Sequence, residues 1–418
     1  MKPGKVFIPA MVDSGAQMLA AAFRAVGIEA ENTPPSDGRT LELGARHTCG
    51  DECFPAKITI GDFFRVLERP ETDPAKTIFF MPLADGPCRF GQYAPYLRSI
   101  LDANGYRQVR IFSPNCDDGY DTLGAMARPL VRTAWRVAVM ADILEKLRLM
   151  TRPYEANPGD TDAAFRECLA QSCRTVEAAP VRPGAQLRAF RSLLTVCRDR
   201  FREVKLRPDR HKPLIGIVGE IFCRLNPFSN QDLVRRLEEL GAEAWIAGFG
   251  EWVWYTNAEE FRLLGLRRQL VSRRGLAAYI RRKVQRRDEE VLLAPFASEF
   301  AGRHDPPIEE VLRAAQPYLP PRGAIGEMVL NVGNLPCMAR RGVDGVIDIS
   351  PFTCMNGIVS EAIYPRVSAD LGGLPVRSLY FDGTVTDLDS ELVIFLEMAC
   401  AYRRRRLSRL TGTALSLS

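Results

Sequence analysis

The sequence predicts an α/β protein with two Rossmann-like (flavodoxin-like) parallel-sheet domains and an intervening helical segment. Short apolar runs of strand length alternate with stretches of helical period in residues 1–124, and again in residues 211–418. Residues 125–210 carry no strand pattern and are rich in Arg, Ala and Leu. With 418 residues, 46% of them hydrophobic, the chain can bury more than one large core.

In chain order, residues 6–10 read as a strand and residues 15–26 as a helix stopped by Gly27. A loop-rich stretch follows until Pro55, which suits the first position of a helix. Ile60, Phe63, Phe64 and Leu67 then mark one apolar face of that helix. Residues 77–83 read as a strand, followed by a helix with Tyr93, Leu97, Ile100 and Leu101 inward and Gly105 as its stop. Residues 109–113 read as the next strand. The helical segment is broken near residues 153–160 and 180–184. Residues 214–220 open the second α/β domain, and its first helix is framed by Ser229 or Asn230 and by Gly241. Further strands are expected at 243–247, 291–295, 343–349 and 376–381, with a last helix over roughly residues 389–403.

Composition narrows the function. A net charge of +5 is small against 56 basic and 51 acidic residues, so nucleic-acid binding is not implied. No apolar run of about 18 residues occurs, and Asp13, Ser14 and Gln17 interrupt the one N-terminal stretch that resembles a signal peptide. No membrane partner and a cytoplasmic location are expected. Eleven irregularly spaced cysteines argue for thiols or metal ligands over a disulfide scaffold.

Three cysteines sit in short frames where helices are predicted to begin. These are Glu52-Cys53-Phe54-Pro55, Gly86-Pro87-Cys88-Arg89-Phe90-Gly91-Gln92-Tyr93, and Pro351-Phe352-Thr353-Cys354-Met355-Asn356-Gly357. Cys88 and Cys354 follow apolar strands, at the edge where open parallel sheets collect ligands. Helix N-termini stabilise thiolate, and thiols gathered from several loop ends suit a soft metal or a cluster. Pro55, Pro87 and Pro351 stiffen these loops, while Gly86 and Gly357 allow close backbone approach. Phe54, Phe90 and Phe352 would screen a centre from water. The bland reading of any cysteine is a small buried hydrophobe, and it is the one assigned to Cys168, Cys173, Cys197 and Cys400.

With Phe80-Met81-Pro82, Gly219-Glu220-Ile221-Phe222 and Asn226-Pro227-Phe228-Ser229-Asn230, these frames resemble the 2-hydroxyacyl-CoA dehydratase superfamily. The closest likeness is to its activase-related branch, near the dehydratase D-component and the double-cubane cluster proteins. The resemblance runs from about residue 5 to about residue 400 and rests most on the octapeptide around Cys88. It implies an iron–sulfur protein that takes one electron from a separate ATP-dependent activase. In the dehydratases a 4Fe–4S cluster on three cysteines leaves one iron open to the thioester carbonyl of a 2-hydroxyacyl-CoA, and the electron produces a ketyl radical that loses hydroxide. Double-cubane members reduce small molecules instead.

Carried onto this chain, the resemblance implies Cys53, Cys88 and Cys354 as ligands, with Cys49 either a fourth ligand, the start of a second cubane or a loop thiol. Cys116, Cys223 and Cys337 lie near element ends and keep both readings open. Arg89 and Glu52 stand beside candidate ligands, as hydrogen-bonding and charge-balancing groups of the centre or as ordinary ion pairs. The cluster is a single 4Fe–4S or a double cubane, an acyl-CoA is the implied substrate, and a dimer is among the expected assemblies. No phosphate loop of the G-x-x-x-x-G-K-[ST] kind is present, and Gly216-Ile217-Val218-Gly219-Glu220 reads as glycines inside a strand.

Other classes compete. His47, Cys49, Cys53 and Cys88 would suit a structural zinc site, although paired C-x-x-C knuckles are missing. A cluster-bearing electron carrier or scaffold without a substrate is a further alternative. The basic run from Arg273 to Arg287 reads as a solvated helix face, or as a receiver for an acidic partner or CoA phosphates. Trp252, Trp254 and Tyr255 would line a cleft or fill an interface.

Overall fold

A computed structural model describes residues 4–84, 86, 88–114, 127–180, 182–208, 211–320, 323–384 and 387–415. The chain divides into two units. One comprises Met1–Arg148, Gly159–Val204 and Gly248–Phe300, the other Leu149–Pro158, Lys205–Ala247 and Ala301–Ser418.

The chain begins β1 (Lys5–Ile8), α1 (Asp13–Ala25), β2 (Ala30–Asn32), α2 (Gly38–His47), α3 (Phe54–Leu67), β3 (Thr77–Phe80), α4 (Tyr93–Ala103) and β4 (Arg110–Phe112). Three helices follow: α5 (Ala127–Thr151), α6 (Asp160–Ala178) and α7 (Pro183–Arg202). Next come β5 (Leu214–Gly219), α8 (Ile221–Leu225), α9 (Leu233–Glu239), β6 (Glu243–Ile246), α10 (Phe249–Leu266) and α11 (Arg273–Leu293). The chain closes with α12 (Ile308–Ala315), α13 (Glu327–Arg340), β7 (Gly345–Pro351), α14 (Met355–Asp370), β8 (Val376–Phe381) and α15 (Leu388–Leu415).

Each unit is built on one four-stranded parallel sheet. The orders are β2-β1-β3-β4 and β6-β5-β7-β8, the pattern that strand–helix alternation predicts and one compatible with two Rossmann-like domains. In the first, Phe63 of α3 stacks on Phe79 of β3 with ring centroids 4.1 Å apart, and Leu97 and Leu101 of α4 complete that side of the core. In the second, β5 and β7 are buried along their whole length, as the central strands of a sheet covered on both faces must be. Helices α5, α7 and α11 belong to the first unit's helical part. There Arg136 and Asp288 form a wholly buried ion pair at 2.8 Å, and Arg132 donates to the same carboxylate. Trp254 packs edge-on against Trp135 and donates to Glu289, so it fills the interior of this unit.

Several expectations are corrected. The stretch before Pro55 is not all loop, because α2 occupies ten of its residues behind an Asp37–Thr40 capping box. Residues 291–295 are not a strand. They are the last turn of α11 running into a 3-10 turn at Ala294–Phe296, where Pro295 removes an amide and ends the helix. Two helices, not one, follow β5. The Asn230 side chain accepts the Leu233 amide at 3.2 Å, but α9 starts only at Leu233. Gly241 does stop it, at φ +91°. No helix among the described residues is long and apolar enough to cross a membrane.

Candidate thiol site

Each of the three frames delivers its cysteine to the residue just before a helix. Cys53 precedes α3, Cys88 precedes a 3-10 turn (Arg89–Gln92) that runs into α4, and Cys354 precedes α14. Their backbones are extended while the next residues are helical, so first-turn amides point back at the cysteine end: in α3 the Ala56 amide bonds the Cys53 carbonyl at 3.0 Å, and in α14 the Asn356 and Gly357 amides reach the Cys354 thiol. Cys49 and Cys88 are exposed, whereas Cys53 and Cys354 are half-buried.

In the first unit, side chains from the Cys88 frame and from α4 fasten onto the Cys49–Cys53 loop. The Arg89 guanidinium donates to the Asp51 carbonyl at 2.7 Å. The Tyr93 hydroxyl lies 2.6 Å from Cys53 Sγ, and the Tyr96 hydroxyl lies 4.0 Å from Cys49 Sγ and donates to Glu52. Glu52 in turn accepts the Cys49 amide at 3.0 Å and the Gly50 amide at 2.9 Å, which folds the loop back over its own carboxylate. Burial raises the Glu52 carboxyl, but the Tyr96 hydroxyl and these amides outweigh it and hold the group below the usual carboxylate range. Phe90 packs edge-on against Tyr93 at 5.3 Å. Arg89 and Glu52 are therefore loop fasteners. Gly86, at φ +128°, has open space where a Cβ would lie, so it serves a turn rather than close approach.

In the second unit, Cys354 closes a turn whose middle residue, Thr353, sits at φ +66°. A β-branched residue held there costs about 1–2 kcal/mol. Burial is the main reason the Cys354 thiol is pushed up to about 12, against the opposing pull of the Gly357 and Asn356 amides. Glu220 and Glu327 raise it further. These carboxyls cap three successive amides of α8: Glu327 accepts from Ile221 at 2.7 Å, and Glu220 from Phe222 at 3.0 Å and Cys223 at 2.8 Å. Burial raises both carboxyls, and for Glu327 the nearby Glu220 adds to it.

Beside them, Gly219 at φ +119° presses on β7, where a Cβ would lie 2.0 Å from the Ile349 carbonyl oxygen. The Gly216–Glu220 segment thus ends in a strand-to-helix turn, correcting its reading as wholly within a strand. The Gly219 amide donates to Asn331 Oδ1 at 3.0 Å. Asp348, in the middle of β7, accepts from Ser350 at 3.0 Å and from Tyr364. Phe352, Met355 and Ile358 around Cys354 are exposed, so Phe352 does not bury this end.

Sequence reading missed Glu327, Asn331 and Tyr364, which ordinary helical stretches supply. Asp348 alone carried a signal, a charged residue within an apolar strand. Cys168 and Cys197 are buried, as expected, and Cys223 and Cys337 are buried too, the latter accepting from Arg340 at 3.4 Å. Cys173 and Cys400 are half-buried, and Cys116 lies outside the described residues. His47 stacks on Phe64 with ring centroids 3.7 Å apart. Cys49, Cys53 and Cys88 belong to the first unit and Cys354 to the second. Among the described residues no three His, Cys, Asp or Glu side chains stand together as a metal-binding group. A scan of protein families and a search of curated proteins found no match to this chain.

Proposed function

We propose that this chain is a cytoplasmic iron–sulfur protein of the 2-hydroxyacyl-CoA dehydratase kind, its two sheets flavodoxin-like, fed with electrons by a separate ATP-dependent activase. The observation that carries the reading is the fastening of the Cys88 frame onto the Cys49–Cys53 loop through Arg89, Tyr93 and Tyr96. The donor set suits a cluster: thiols next to helix N-termini, on stiffened loops, with no disulfide among the described cysteines. Cys53, Cys88 and Cys354 would hold it, with Cys49 a fourth ligand, the start of a second cubane or a loop thiol. Bound by three thiolates, such a cluster would supply one electron at a time and an open iron for a thioester carbonyl.

The chain's own groups prepare for that charge. The Tyr93 hydroxyl donates to Cys53 once its sulfur is ionised, a charge-assisted bond that favours the ligand form. Glu52 fixes the loop that presents Cys49 and Cys53, and Arg89 locks the Cys88 turn to it.

The test is anaerobic reduction. Reconstituted protein mixed with activase, ATP and a reductant should gain an electron only while ATP is hydrolysed, and should turn over a 2-hydroxyacyl-CoA or a small reducible molecule. Reduction without turnover across such a panel would identify an electron carrier. A tightly held zinc without sulfide would replace the proposal with a structural metal site.

A further inference from the structure

Helices α10 and α11 form an antiparallel hairpin in the first unit. Its rungs are Trp254–Glu289 and Asn257–Gln285, each at 3.0 Å, followed by Glu260–Arg281. Past Glu260, α10 continues for six residues to Leu266, a rise of about 9 Å. The connection is built, not slack: Arg268 adopts φ +55°, the Gln269 amide donates to the Leu264 carbonyl at 2.8 Å, and Ser272 caps α11 through the Gly275 amide at 3.1 Å. Yet this ordered tip points apolar side chains at solvent. Val271 is 100% exposed, Leu266 and Leu276 are each 59%, Ile280 is 52% and Leu270 is 50%. Between Glu260 and Asp288 the sequence holds ten Arg or Lys and no acidic residue, a local charge that the net +5 of the whole chain conceals.

Exposed apolar side chains gathered at one ordered tip, rather than scattered singly, mark an interaction site. A second copy would bring the same cations against themselves, so charge disfavours self-pairing. The apex is convex, since nothing shields Val271 from any side, and a protein partner would need a preformed hollow to receive it. A lipid surface deforms around a protruding tip, interfacial apolar side chains enter it by roughly 5–10 Å, and flanking guanidiniums reach its phosphates. We propose that the α10–α11 tip docks reversibly onto an anionic lipid surface, with Leu270 and Val271 entering the headgroup layer and the flanking arginines pairing with lipid phosphates. This departs from the expectation of no membrane partner, which rested on the missing spanning run. It is independent of the thiol site.

Flotation of the purified chain with vesicles tests it. The protein should bind an equal mixture of phosphatidylcholine and phosphatidylglycerol, should not bind phosphatidylcholine alone, and should release at high salt. The double variant Leu270→Ser/Val271→Ser and the double variant Arg273→Glu/Arg274→Glu should each weaken binding at least tenfold while circular dichroism stays unchanged. Absence of binding to the anionic vesicles overturns the proposal. So does undiminished binding by the serine variant, which would make the attraction charge alone. Concentration-dependent self-association that the serine variant abolishes would overturn it in favour of a second copy.

Discussion

Tyr93 and Tyr96 are three residues apart on α4, so they share a helix face and reach two different cysteines of one loop. That spacing, with the Arg89 bond to the Asp51 carbonyl, ties the Cys88 frame to the Cys53 frame. Behind them, α3 carries Asp62, buried and accepting from Thr40 at 2.7 Å and from Ser36 at 2.9 Å. Burial pushes its carboxyl up to about 7, against the pull of those hydroxyls and of Arg65. The folded state thus binds this proton more tightly than the unfolded chain, whose Asp titrates near about 4. The resulting stability is complete below about 4 and is lost as pH rises through about 7. Denaturant unfolding across that window should show stability falling with pH, and Asp62→Asn should flatten the slope. A wild-type slope unchanged in the variant would place the titrating group elsewhere.

Among the elements, α2 is the instructive case. Only Thr40, Leu43 and Gly44 of its ten residues are buried, too few to write an apolar period into the sequence. Its stability comes from a capping box in which Asp37 and Thr40 exchange side-chain bonds, with Thr in place of the usual Glu or Gln. It also comes from contact so close that a Cβ on Gly61 of α3 would lie 1.9 Å from the Thr40 carbonyl oxygen. Asp37→Ala should cost about 1 kcal/mol in urea unfolding, and a change within error would show that the α2–α3 contact alone holds the helix. The central strands, by contrast, were legible because they are short, mostly apolar runs, buried end to end in β5 and β7. The cysteine frames were legible as Gly, Pro and aromatic residues packed around a thiol. The group around Cys354 was not: the β5–β7 register, in which Gly219 pairs with Ile349, aligns the ends that carry Glu220 and Asp348, and α13 brings Glu327 onto the Ile221 amide, and neither pairing is written in local sequence. The false strand at 291–295 shows the same limit, since a short apolar run fits a strand or a helix end equally well.

At the scale of the whole molecule, the same strand order is used twice, and each sheet sends at least one cysteine frame beyond the carboxyl end of a central strand. Cys88 follows β3 and Cys354 follows β7, the place where open parallel sheets bind ligands. Iron, sulfide and EPR analysis after anaerobic reconstitution tests the resulting claim most directly, on the wild type and on Cys53→Ala, Cys88→Ala, Cys354→Ala and the control Cys173→Ala. The proposed ligand set predicts about four iron and four sulfide per chain for one cubane, or about twice that for two, a reducible EPR signal, retention in the control and loss in each of the other three. Protein that stays colourless and iron-free, or iron loading that survives all three substitutions, would contradict it.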